Sequence, residues 1–313
     1  MEIIEVGKDE YREIIKMPFF IYGSADFNDL NKSKCDELFY LLFREGKYRL
    51  GIIGGLKNGI FHSPISAPFG GFAFISEDIR IQHIEEAIKS LHQWAVKKGI
   101  SSIHLTLPPS IYCDTFLSKQ LNSLWRLNFK ISEIDLNYYL PVSVFDKNYT
   151  ETLWYNARKN LKIALSRNLN FVECKTTKEK EFAYEIIRKN REAHSYHLKL
   201  SWDHIESTIQ LIEADFFLVY TKESDPIASA IVFHVGNYIV QVIYWGDLSG
   251  YSEFRPMNFL VYKIFEHYRN NGIRIIDVGP STENSLPNYG LCEFKESVGC
   301  QVVPKYTLIN NLL

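Results

Sequence analysis

The segment Asn270–Cys300 reads NNGIRIIDVGPSTENSLPNYGLCEFKESVGC. Asn271-Gly272 is a helix stop, because glycine takes the left-handed conformation of a helix C-terminus without steric cost. Ile273, Ile275, Ile276 and Val278 then form a β-branched apolar run, the pattern of a strand buried on both faces. Gly279, Pro280, Ser281, Asn284, Pro287, Asn288 and Gly290 sustain neither helix nor ladder. A loop is therefore expected, delivering Phe294 and Lys295 ahead of a second apolar run at Val302 and Val303. Polar residues on a loop beyond a parallel strand are where open α/β sheets place their chemistry. The plainer alternative is a surface loop with Lys295 solvated between Glu293 and Glu296.

Upstream of this segment, Tyr238–Trp245 reads as a strand, and Met257, Leu260, Val261, Ile264 and Tyr268 fall at helical spacing. The same order occurs earlier. Tyr48–Gly55 and Ile60–Ser63 are strands joined by Lys57-Asn58-Gly59, a strong hairpin signal. Ser63–Gly71 (SPISAPFGG) is a Pro/Gly loop. Ile84, Ala87, Ile88, Leu91, Trp94 and Ala95 make a helical stripe that ends at Lys97-Lys98-Gly99, and Ser102–Leu107 is a strand. Strand, helix and strand in this order require a right-handed crossover between parallel strands. The interval from Gly99 to Gly272 also separates His104 from Asp277, which marks an internal duplication. Apolar segments close both units, Phe129–Leu140 and Val302–Leu308, with a joint expected at 141–152. The expected domains are 1–145 and 146–313. Asp36–Arg44, apolar at Leu38, Phe39, Leu41 and Leu42, reads as a helix.

The 313 residues, 46% hydrophobic and 14% aromatic, suit folded globular units. A net charge of −2 gives no global pull toward DNA or an anionic membrane. Five scattered cysteines without a C-x-x-C favour a reduced compartment over a disulfide framework or a cysteine metal site. The charged N-terminus has no signal-peptide core, and no run approaches the ~20 apolar residues of a membrane span, so a cytoplasmic protein is expected. Residues 151–200 differ from the rest, with 11 Lys/Arg against 6 Asp/Glu. There Leu153, Ala157, Leu161, Ala164 and Leu165 form one helical face and Arg158, Lys159 and Lys162 another. This basic face is either simply solvated or a holder of substrate phosphates. His194, His197 and His204 lack a carboxylate at metalloprotease spacing, and no metal is expected.

Two segments carry a family resemblance. RKNLKIALSRNLNF (Arg158–Phe171) is similar to the basic helix opening the second half of FemAB-like proteins, the peptidoglycan bridge aminoacyltransferases and their relatives. The segment 270–300 resembles that family's ending, in which a strand closing on Asp and Gly leads to Gly-x-x-x-Phe-Lys and then Gly. The resemblance implies an α/β fold of two tandem GNAT-like (acyl-CoA N-acyltransferase-like) domains with mixed central sheets. It implies N-acyltransferase activity: transfer of an acyl or aminoacyl group to an amine, on a small-molecule or cell-envelope (peptidoglycan or polysaccharide) precursor. The donor would be acetyl-CoA or another acyl-CoA, or an aminoacyl-tRNA, with no tightly bound cofactor. Carried over, Phe294, Lys295 and Asp277 are the expected catalytic residues, and Gly299 matches the glycine after the pair. Lys295 would stabilise a tetrahedral oxyanion and Phe294 would exclude water. Expected substrate contacts are Arg158, Lys159, Lys162, Tyr196, Tyr244, Ser281 and Asn284. The family's diphosphate-binding residues in the first half find no counterpart. The acetyl-CoA signature Arg/Gln-x-x-Gly-x-Gly/Ala is also absent from GDLSGYSEFRP (246–256). The alternative is a catalytically inactive GNAT-like binding module for an anionic ligand.

Overall fold

A computed structural model describes residues 1–16, 18–145 and 149–312. The chain forms two compact units: Met1–Leu136 with Thr282–Leu286 and Val303–Leu313, and Asn137–Ser281 with Pro287–Val302. Residues 146–148, inside the expected joint and next to the expected boundary, lie outside the described residues.

The elements of the first stretch are β1 (Glu2–Val6), α1 (Lys8–Ile14), α2 (Ala25–Leu30), β2 (Glu37–Glu45), β3 (Lys47–Lys57), β4 (Ile60–Ser63), β5 (Phe72–Phe74), α3 (Ile81–Lys97), β6 (Ser102–Thr106), α4 (Asp114–Arg126) and β7 (Lys130–Pro141). They are followed by α5 (Tyr149–Thr152), α6 (Tyr155–Leu165), β8 (Asn170–Glu173), α7 (Thr177–Ala193), α8 (Trp202–Thr208), β9 (Ala214–Tyr220), β10 (Pro226–Gly236), β11 (Ile239–Asp247) and α9 (Pro256–Asn270). The chain ends with β12 (Ile275–Pro280), β13 (Thr282–Glu283), β14 (Leu286–Pro287), α10 (Tyr289–Ser297) and β15 (Gln301–Asn311).

In the first unit the strands run β1-β2-β3-β4-β6-β15 and then the first half of β7, with β5 also on β3. In the second they run from the other half of β7 through β12-β11-β10-β9-β8. Both sheets are mixed. Each contains the parallel pair demanded by its crossover helix, β4 with β6 around α3 and β11 with β12 around α9. The Asn58-Gly59 hairpin is present, both residues at positive φ. Each pair is flanked by the closing strand that follows the other: β15 lies antiparallel to β6, and β7 to β12.

Residues 37–45 are strand β2, not the expected helix. Phe39, Leu41 and Phe43 enter one core, and Tyr40 and Leu42 enter a second with Tyr11 and Ile53. A strand apolar on both faces shows no alternation, and its continuous run imitates a helical pattern. In the second unit, Phe216 faces Lys180 and Trp202, while Phe217 faces His267 and Tyr268. Thus α7 and α8 cover one face of that sheet and α9 the other. Among the described residues no helix is long and apolar enough to cross a membrane.

Candidate functional site

The segment after β12 is less loop-like than its composition suggests. Asn284 and Ser285, both at positive φ, form the two-residue turn between β13 and β14. Asn288 then caps α10, its side chain accepting from the Leu291 amide at 3.1 Å. Phe294 and Lys295 therefore sit on a helix. Lys295, only 2% exposed, points back at the end of β12. Its ammonium donates to the carbonyls of Val278 (3.0 Å), Gly279 (2.8 Å) and Pro280 (3.1 Å), with the Tyr138 ring 5.4 Å away. Burial pushes its pKa down to about 8, which still leaves it protonated at neutral pH. All three donors are thus engaged with backbone, and Lys295 fixes the strand end.

Asp277 is fully buried beside it. One carboxylate oxygen accepts from Asn137 (2.8 Å) and the Gly279 amide (2.9 Å), the other from Gln241 (2.7 Å). The parallel ladder of β11 and β12 spans Ile239–Gln241 and Ile275–Asp277 and stops at this knot. Beyond it β12 bulges toward β7, while β11 runs on beside β10 to Asp247. Asp277 and Lys295 thereby hold open a splay between two parallel strands.

Beside the extended half of β11, helix α7 presents a half-buried cation. Asn190 of α7 donates to the Asp247 carbonyl at 2.7 Å. Gly246 permits this approach, since a Cβ there would lie 2.5 Å from the Asn190 Oδ1. The next residue, Arg191, stacks its guanidinium against Tyr196 (5.9 Å) and Tyr244 (5.7 Å). Among the described residues it has neither a carboxylate partner nor a side-chain hydrogen bond, and burial pushes its pKa down. Burial pushes the Tyr244 phenol up, with the backbone of Leu200 and Lys199 and the Arg191 guanidinium opposing it. His194 shares a 2.8 Å hydrogen bond between its Nδ1 and the Asn190 carbonyl, and stacks on Tyr196. Burial pushes the Asp247 carboxyl up, with nearby His194 opposing it. An uncompensated, half-buried guanidinium between two phenol rings is suited to a phosphate or carboxylate.

The structure thus brings Tyr196 and Tyr244 together, but around Arg191, which follows Asn190 on α7 and precedes His194; of these three only His194 stood out in the sequence, and only as a metal ligand to be set aside. One signal was available: the positions three and four residues either side of Arg191 are Ile187, Arg188, His194 and Ser195, none acidic. The basic face of α6 lies elsewhere, because α6 packs on α9, on the other side of the sheet from α7. Arg158 donates to the carbonyls of Glu151 (3.0 Å) and Leu153 (3.2 Å), whereas Lys159 and Lys162 are exposed. Leu165 is exposed too, outside the buried stripe of Leu153, Ala157, Leu161 and Ala164. Phe294 meets Trp245 edge to face at 6.2 Å. Ser281 is buried, its hydroxyl unpaired among the described residues.

No family model matches the sequence, and no curated protein does. Among solved structures the chain is similar to FemX, with 14% identity over 99% of this chain and 97% of that one and a TM-score of 0.71. It is similar to the C-terminal domain of a putative lysylphosphatidylglycerol synthetase from Agrobacterium fabrum (11% identity, 97% and 93% covered, TM-score 0.61). It also resembles a tandem GNAT protein from the clavulanic acid biosynthesis pathway (10% identity, 100% and 98% covered, TM-score 0.54). At these identities the likeness is one of fold: the chain has the mixed α/β, tandem GNAT-like fold that FemX and the tandem GNAT protein share.

Proposed function

We propose that the second unit is the working half of an N-acyltransferase whose substrate carries a phosphate or carboxylate. The carrying observation is Arg191, unpaired between Tyr196 and Tyr244 beside the splayed end of β11. In this reading the anionic group docks on Arg191 and places an amine near Asp247. The amine nitrogen attacks the carbonyl of an ester or thioester donor, the new amide forms, and the alcohol or thiol leaves. Asp247 takes the amine's proton, which its raised pKa favours, and returns it to the departing oxygen or sulfur. Lys295 and Asp277 act as positioning residues that hold the splay. The fold shared with FemX and with a putative lysylphosphatidylglycerol synthetase domain supports a cell-envelope precursor as acceptor. The donor in this proposal is an acyl-CoA or an aminoacyl-tRNA.

One observation favours a second reading, an inactive module that binds an anion: the Lys295 ammonium has no donor left for an oxyanion. Two measurements test the proposal. Pyrophosphate should raise the melting temperature of the parent and not of Arg191→Gln; a ligand at a hundred times its dissociation constant adds ~2.7 kcal/mol. An equal rise in both refutes the Arg191 site. Transfer of label from acetyl-CoA or aminoacyl-tRNA to a panel of amines then separates enzyme from module, and an Asp247→Asn variant as active as the parent removes Asp247 as the base.

A further inference from the structure

On the face of the second unit's sheet away from Arg191, a groove of about 440 Å³ opens between the start of α6, the start of α9 and the outer side of α10. Its size suits a small molecule. Two aromatic rings border it with their faces uncommitted: Trp154 is 48% exposed and Tyr155 80%. Asn156, Asn160, Asn258 and Glu293 also line it. Among the described residues none of these four side chains makes a hydrogen bond or ion pair within the protein.

We infer that this groove binds a neutral sugar ring. Each part of the lining selects for that class. No lysine or arginine lines the groove and Glu293 does, so a phosphate or carboxylate would meet repulsion without compensation. A purely apolar ligand would strip water from four polar side chains and return no hydrogen bonds. A pyranose meets both demands. Its C–H face lies against aromatic rings such as Trp154 and Tyr155. Its hydroxyls both donate and accept, which matches primary amides that do the same, and two neighbouring hydroxyls can donate to the two oxygens of one carboxylate. The inference is independent of the Arg191 reading, since it rests on a different face and on different residues.

The test is saturation-transfer NMR on the full chain with methyl β-glucoside and methyl β-N-acetylglucosaminide. Adenosine and pyrophosphate serve as competitors. Saturable transfer to the ring protons of at least one glycoside is expected, together with quenching of tryptophan fluorescence that Trp154→Phe removes. The double variant Asn160→Leu, Glu293→Leu should lose the signal tenfold or more at an unchanged melting temperature. Because both residues lie at the surface of the groove, a folded variant is expected; should it melt early, Asn156→Leu replaces it. Absence of transfer to both glycosides overturns the inference, as does transfer undiminished in the double variant. Displacement of the glycoside by adenosine overturns it in favour of a nucleoside site.

Discussion

Lys295→Met keeps the buried stem of the side chain and removes the ammonium, so it separates a clamp from a reacting group. The ammonium makes three hydrogen bonds to β12 carbonyls, and bonds involving a charged partner contribute ~1.5–3 kcal/mol each. Against them stands the desolvation that moves its pKa from 10.5 to about 8, equivalent to roughly 3–4 kcal/mol at 1.36 kcal/mol per unit. The difference predicts that Lys295→Met destabilises the protein by about 3 kcal/mol, read from urea unfolding as a shift in midpoint at constant slope. Amide exchange should localise the loss to Val278–Pro280 and its neighbours on β7. If stability falls by less than ~0.5 kcal/mol while acyl transfer collapses, the clamp reasoning is refuted and Lys295 acts on the reaction directly.

Three further outcomes follow from the geometry. Gly246→Ala pushes a methyl into Asn190, breaks its bond to the Asp247 carbonyl and should cost ~1–3 kcal/mol; it should also weaken pyrophosphate binding by displacing neighbouring Arg191, and unchanged binding would detach α7 from the site. His234, whose pKa is raised by its 2.8 Å hydrogen bond to Asp215, contributes stability in full below its unfolded pKa and loses it as pH rises through the raised value. The melting-temperature gap between the parent and His234→Gln should therefore narrow from about pH 6 to about pH 8, and a constant gap would contradict the pairing. Replacing Arg158, Lys159 and Lys162 together by Gln should flatten the salt dependence of substrate binding if they hold phosphates; an unaltered salt dependence makes the helix face solvated only.

Local signals carried much of the architecture. The Asn58-Gly59 turn, the stripes of α3 and α9 and the glycine stops at Gly99 and Gly272 depend on neighbours within a few residues, and both crossover units were legible from them. Strand β2 was not, because burial on both faces erases its period. Helix α10 was hidden by Pro287, Asn288 and Gly290, which read as loop until Asn288 is seen to cap. The fate of Lys295 was illegible for a different reason. Its partners are backbone carbonyls 15 to 17 residues away, which leave no trace in residue type. Arg191 likewise acquires its setting from Tyr244, on a strand its own helix merely covers.

The exchange of closing strands has a consequence for how the protein is made. Strand β6 leaves the ribosome early, but residues 303–311, which cover its edge, come only after all of unit 2 has been translated. At ~5–20 residues per second the nascent first unit waits roughly ten to thirty seconds with Ile103 and Leu105 on an open edge. Such an edge invites pairing with other chains. A gene fragment ending at residue 136 leaves that edge open for good, and should yield aggregate unless a peptide spanning 301–312 is supplied.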